Sequence, residues 1–138
     1  MIRLPDWPAR LHDFVDSVKA SPFAWTFHDC LCGWTADAAL AMTGEDIAAG
    51  YRGKYKTAAG AARLLKNAGF SNLADAVGSK LPEIHISRAR IGDIAAIPDD
   101  SPFGYTLGIV NGEMILVLGE HQMGLVPLFD AKRAFAVG

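Results

Sequence analysis

Cysteine is scarce: Cys30 and Cys32 are the whole complement of this 138-residue chain. That excludes a disulfide framework, and on a helix two positions of separation aim the thiols at different faces. A single C-x-C pair also falls short of the four ligands of a structural zinc site. Neither a metal nor any other cofactor is expected. No run of Lys and Arg occurs, and 13 basic against 15 acidic residues give a net charge of -2. Nucleic acid is therefore not an expected partner, because nothing resembles a groove that tracks phosphates. Apolar runs are short as well. The longest, such as Met114 to Gly119, fall well below the about 20 residues that a spanning helix needs, so no membrane insertion is expected. The opening MIRLPDWPARLHDF is polar and carries Pro and Asp early, unlike a secretory signal. The expectation is synthesis in the cytoplasm without a signal peptide. Internal repeats, low-complexity stretches and an interdomain linker are all missing.

What remains is an ordinary globular composition, 51% hydrophobic and 20% charged, in a length that suits one domain with its own core. Residues 1–138 are read as that single domain, helical over about 1–80 and sheet-forming over about 84–138. Asp6 is placed as the cap of a first helix with Pro8 in its first turn, and Trp7, Leu11, Phe14, Val15 and Val18 form its apolar stripe. Ser21-Pro22 ends it. A second helix is expected from Cys30 to about Met42, with Asp29 as N-cap and Gly44 as the stop. Gly50 to Lys56 reads as a loop. Thr57 caps a third helix over Ala58 to Ala68, closed by Gly69, and Ser71 caps a short fourth from Asn72 to about Ser79. After Gly92-Asp93, which make a turn that aims the first strand, the period changes to that of strands. Ile94 to Ile97, Tyr105 to Val110, Glu113 to Leu118, Leu125 to Leu128 and Ala134 to Val137 are the expected strands. Asn111-Gly112 is placed at the centre of a type I′ hairpin turn. Helices first and strands after give segregated α+β with an antiparallel sheet.

One residue stands out chemically. In the first turn of a helix, free N–H groups and the helix dipole stabilise a thiolate and can help hold an oxyanion. His28, two residues before Cys30, would depress the thiol pKa further if charged. Cys30 is therefore the candidate nucleophile; the ordinary alternative is a small buried hydrophobe. Asp29 reads as a cap first and a functional group second. Trp25 is core or the wall of a groove beside the cysteine. Tyr51, Arg52 and Tyr55 make an aromatic and cationic cluster on a loop. It is either a solvated loop anchored by its tyrosines or a contact surface for a protein.

The stretch Phe23-Ala24-Trp25-Thr26-Phe27-His28-Asp29-Cys30 resembles the entry motif of NlpC-type cell-wall cysteine peptidases. Arg90-Ile91-Gly92-Asp93-Ile94 is similar to their Gly-Asp turn before the first central strand. Tyr105-Thr106-Leu107-Gly108-Ile109-Val110 with Asn111-Gly112 is similar to their His-Val-Gly-Ile strand and its return. Over nearly its full length the chain also resembles a small group of phage and prophage proteins. That likeness rests on the Leu-Pro-x-Trp opening, the His28-Asp29-Cys30 centre, Thr43-Gly44-Glu45-Asp46, Arg52-Gly53-Lys54-Tyr55, Gly92-Asp93 and the closing Arg133-Ala134-aromatic. The resemblance implies a papain-like, NlpC-like α+β fold, with N-terminal helices packed on a C-terminal antiparallel sheet. It implies Cys30 as nucleophile, phage tail proteins as partners, a virion-associated location in the tail, and peptidoglycan as the material such proteins meet.

The same resemblance puts the catalytic base at the residue that opens the His-Val-Gly-Ile strand, and that residue here is Thr106. The orienting third residue, on Glu113 to Val117, is apolar. A hydroxyl is far too weak a base to replace imidazole at neutral pH. His28, His121 and His85 are the histidines that stand as substitutes. The expectation is a tail component whose peptidase centre is impaired. The alternatives are an active peptidase cutting peptidoglycan peptides and a non-catalytic wall-binding module.

Overall fold

The first helical stripe closes on the second helix and on the sheet. The computed structural model describes residues 1–19, 34–118 and 123–138. Its helices are α1 (Trp7–Val18), α2 (Thr35–Thr43), α3 (Ala58–Asn67) and α4 (Leu73–Gly78). The strands are β1 (Glu83–Ile84), β2 (Ile94–Pro98), β3 (Tyr105–Asn111), β4 (Met114–Leu118), β5 (Met123–Pro127) and β6 (Arg133–Phe135), with 3₁₀ turns at Ile86–Arg88 and Leu128–Asp130. All six strands join one sheet in the order β1-β6-β2-β3-β4-β5, and every pairing is antiparallel. This is the segregated α+β architecture expected from the change of period.

Alternation along the strands sends side chains to two cores. On the helix side Leu107, Ile109, Ile94, Ala96, Leu116 and Phe135 pack with residues of all four helices. On the other side Ala95, Val110 and Ile115 pack with Leu128 and Ala131. Each fully buried Leu, Ile or Phe contributes roughly 1.5–3 kcal/mol, so the larger, helix-side cluster dominates stability. Trp34 is fully buried there. Its ring lies 5.8 Å from that of Phe14, and its indole N–H donates to the Leu116 carbonyl at 3.1 Å. One side chain thus ties α1, the start of α2 and β4 together.

Several local expectations need correction. Asp6 does not cap α1 with its side chain; the carboxylate takes a hydrogen bond from Arg10 at 2.8 Å instead. α2 begins at Thr35, not Cys30: Trp34 before it has φ -126° and ψ -86°, which breaks any helix running unbroken from Cys30. Ser71 is not the cap of α4; Asn72 is, accepting from the Asp75 N–H at 2.8 Å. In the hairpin, Asn111 pairs with Met114, so the two turn residues are Gly112 and Glu113 instead of Asn111 and Gly112. Gly112, at φ +74°, supplies the left-handed first position that such a turn requires. β1 had no sequence signal at all, being two residues long and exposed at the sheet margin. By contrast Thr57 caps α3 as expected, accepting from Gly60 N–H at 3.0 Å.

The Gly92-Asp93 turn does aim β2. Gly92 has φ +94°, and Asp93 is fully buried. Its carboxylate accepts from Arg90 N–H at 2.8 Å, from Arg3 Nη2 at 2.8 Å and from Val137 N–H at 3.0 Å. Both ends of the described chain are fastened at this one side chain.

Candidate functional site

Of the residues expected to do chemistry, Cys30, His28, Asp29, Trp25 and His121 lie outside the described residues, as does Cys32. The structure shows what borders them. Trp34 follows the first segment, and Leu118 and Met123 flank the second; all three belong to the helix-side cluster. Among the described residues, no three His, Cys, Asp or Glu side chains gather as metal ligands, and no helix is long and apolar enough to cross a membrane.

Thr106 sits on β3 opposite Ile97 of β2. It shares strand parity with Gly108 and Val110 and faces the side of the sheet away from the helices. Its hydroxyl donates to Asp99 Oδ2. The other carboxylate oxygen accepts from the Ser101 hydroxyl and N–H. Partial desolvation works to raise the Asp99 carboxyl, but the donors Ser101 and Thr106 outweigh it and hold the group below the ordinary carboxylate value. The cluster is built to keep a carboxylate ionised and the β2–β3 turn closed. Asp99 was not singled out in the sequence; the only signal was an acid seven residues before Thr106, at hairpin distance.

Among the described residues, no strand of the sheet carries a histidine. His85 caps the 3₁₀ turn that follows it, its Nδ1 accepting from Ser87 N–H at 3.1 Å and lying 2.7 Å from the Ser87 hydroxyl. His85 is thus engaged locally, by Ser87, on an exposed turn. The fourth histidine, His12, is exposed on α1 beside Asp16.

The loop cluster is drawn into the scaffold. Tyr55 is 4% exposed within the core, and Tyr51 is half-buried against it. Arg52 binds Asp46 through two nitrogens, at 2.7 and 3.0 Å, and reaches Asp37 on α2 at 2.6 Å. Thr43 accepts from Glu45 N–H, and Gly44 closes α2 at φ +81°. The Thr43-to-Asp46 and Arg52-to-Tyr55 stretches thus form one strut, which fixes the loop after α2 to that helix. Arg133 plays the matching part on the sheet. It binds Glu83 and Asp75, each at 2.8 Å, and lies over the rings of Phe135 and Tyr105.

The strut has an acid signature. The hydrogen bond from Arg52, opposed by burial, holds Asp46 below its usual value of 3.8. A carboxylate depressed in the folded state binds fewer protons there than when unfolded. Its stabilisation is complete above about pH 4 and fades as pH falls through the lower, folded value. An Asp46→Asn variant is expected to lose about 1 kcal/mol at pH 7, a modest figure because the pair is partly solvated. The difference from the parent protein should shrink in acid, at a pH well below about 4. Urea titrations at both pH values check it, and a difference independent of pH counts against the account.

Comparison with solved structures finds the same fold in the crystal structure of the NlpC/p60 domain of the peptidoglycan hydrolase SagA. The match has a TM-score of 0.58 and 19% sequence identity, and covers 93% of this chain and 97% of that one. The papain-like α+β arrangement is thereby shown. No curated protein sequence matches the chain. A family model does match, along residues 2–137. With nearly every residue inside that match, the chain belongs to the family described as "Domain of unknown function (DUF6950)".

Proposed function

We propose that this protein is a virion-associated component of a phage or prophage tail that keeps an NlpC/p60-like fold while its peptidase centre is impaired. The observation that supports the reading is that, among the described residues, no strand carries a histidine and Thr106 stands on β3 bonded to Asp99. A cysteine peptidase needs an imidazole-strength acceptor facing its thiol. At the strand position which the NlpC resemblance assigns to that acceptor, Thr106 instead directs its hydroxyl to Asp99 on the far face of the sheet. The tail setting and the partners, other tail proteins, come from the likeness to phage and prophage sequences. Peptidoglycan is the polymer on which the shared fold bears.

A second reading is active hydrolysis of peptidoglycan peptides, with Cys30 as nucleophile and His28 or His121 as an unusual base. It is favoured by the fold neighbour being a domain of a peptidoglycan hydrolase. Retention on sacculi without cleavage would identify a wall-binding module instead.

The deciding experiment pairs Cys30→Ala with the parent protein in phage particles and on purified sacculi. The impaired-site reading expects equal infectivity, no release of peptides by either protein, and a Cys30 thiol that alkylates with a midpoint at or above about 8.5, the free-cysteine value. Peptide release by the parent that vanishes in Cys30→Ala overturns it. So does loss of infectivity in Cys30→Ala particles of normal composition.

A further inference from the structure

The charge of the chain is unevenly spread. Residues 47–74 hold five of the 13 cations, Arg52, Lys54, Lys56, Arg63 and Lys66, and none of the 15 acids. Arg52 is taken up by Asp37 and Asp46. The other four have no ion-pair partner among the described residues, although the protein as a whole is net negative.

Two of these cations flank a groove. Arg63 and Lys66 stand three residues apart on α3 and so share one face of the helix. With Ala62, Leu65, Phe70 and Pro102 they line a space of about 620 Å³ between α3, the α3–α4 turn and the tip of the β2–β3 hairpin. Both cations are exposed, Phe70 is half-buried and Leu65 is buried. The hairpin is fixed to the start of α4 by the hydrogen bond from Leu73 N–H to the Phe103 carbonyl at 2.9 Å, so the walls are held by backbone. No acidic side chain lines the space; of those nearby, Asp99 and Asp100 precede Pro102, with Asp99 engaged by Thr106 and Ser101, and Asp75, three residues after Asn72, is held by Arg133 at 2.8 Å and by the Asn72 amide at 3.2 Å.

We propose that this groove docks an acidic peptide segment of a partner protein, with an apolar side chain seated against Phe70 and Leu65 and carboxylates on Arg63 and Lys66. Charge complementarity selects an anionic partner. The apolar floor decides between anions: a phosphate polymer would leave Phe70, Ala62 and Pro102 without contacts, whereas an apolar anchor within acidic sequence covers both chemistries. Lys54 and Lys56, before α3, extend the positive field and would speed the encounter. This inference stands apart from the proposed function, since it uses none of the residues of the peptidase centre.

The test is fluorescence anisotropy with the full chain and a short labelled peptide in which Glu and Asp flank a Leu-Phe pair. Binding is expected at low salt, weakening as salt rises. The double variant Arg63→Glu/Lys66→Glu should bind at least about tenfold more weakly, while Lys132→Glu, a cation elsewhere on the surface, leaves affinity unchanged. A probe with Ser-Gly in place of Leu-Phe should also lose most of its affinity. Both side chains are exposed, so the double variant keeps its fold, and circular dichroism confirms it. The proposal is overturned if the peptide fails to bind or if the double variant binds it as tightly as the parent. It is equally overturned if Lys132→Glu weakens binding as much as the double variant, if the probe without the anchor binds equally well, or if polyphosphate binds more tightly than the peptide.

Discussion

Asp93→Ala should lower the free energy of unfolding by about 3–5 kcal/mol, the cost of breaking a buried ion pair from one side. The carboxylate has no exposed surface, and the Arg3 side chain that faces it is 7% exposed. Alanine would leave three donors without their acceptor: the Arg3 guanidinium and the N–H groups of Arg90 and Val137. Arg3 would keep its hydrogen bonds to the carbonyls of Val137 and Ile91, but carbonyl dipoles do not neutralise a buried charge. Because the same carboxylate fastens the N-terminal segment, the turn before β2 and the C-terminal segment, the loss should be cooperative across all three. At roughly 3 °C per kcal/mol for a chain of this size, the melting midpoint should fall by about ten degrees. Asp93→Asn should cost less, since an amide oxygen still accepts from one side of the cluster. Arg3→Met breaks the same pair from the other side and leaves the Asp93 carboxylate buried without its counter-charge, although the Arg90 and Val137 N–H groups still donate to it, so its cost should be comparable. Urea denaturation of the three variants gives the order directly. An Asp93→Ala variant within 1 kcal/mol of the parent would sink the idea that this residue clasps the fold.

The sequence announced such elements unevenly, and the reasons are physical. Thr57 was legible as a cap because one side chain and the N–H three residues later are enough to make the motif. The strand over Tyr105 to Val110 was legible because an apolar run of strand formers leads straight into an Asn-Gly turn signal. Asp6 misled, since Arg10 one turn later competes for the same carboxylate, and a pattern of caps does not weigh competitors. The hairpin register went wrong by one residue because Asn-Gly is favourable as the turn pair, yet Asn111 extends the ladder to Met114 and Gly112 takes the positive φ at the first turn position. β1 was invisible, since two residues carry no periodicity. Of the candidate site, a threonine at the position of the base, Thr106, was plain in the residues themselves. The partnership of Thr106 with Asp99 was not, because it depends on the exact pairing of β2 with β3. The fate of Arg52 was not legible for a similar reason: whether a loop arginine faces solvent or folds back on Asp37 and Asp46 is settled by tertiary structure.

Gly108→Val should be nearly as damaging as Asp93→Ala, through a different cause. A Cβ built on Gly108 runs into the Ile115 methyl on β4, lies 2.8 Å from the Leu116 carbonyl oxygen and 3.1 Å from a Val117 methyl. A methyl group can turn aside, but a carbonyl in a sheet ladder cannot move without its strand. Overpacking of this kind costs typically 1–3 kcal/mol and occasionally more, and the two further methyls of valine put the expected loss at about 3 kcal/mol or above. Gly112→Ala provides the contrast. Its Cβ meets nothing within 4 Å, so only the positive φ opposes it, at about 1 kcal/mol. The consequence of Gly108→Val reaches beyond stability, because the carbonyl it pushes is the one that accepts the Trp34 indole, and Trp34 is the first described residue after the segment carrying Cys30. Displacing β4 should loosen that hydrogen bond and change the environment of a fully buried tryptophan. Thermal melts and a red-shifted tryptophan emission, compared between Gly108→Ala and Gly108→Val, read both effects together. If Gly108→Val melts with the parent and its emission is unmoved, β3 and β4 tolerate a side chain at their closest approach, and the glycine of the Thr-Leu-Gly-Ile stretch is not there to seat the strand that holds Trp34.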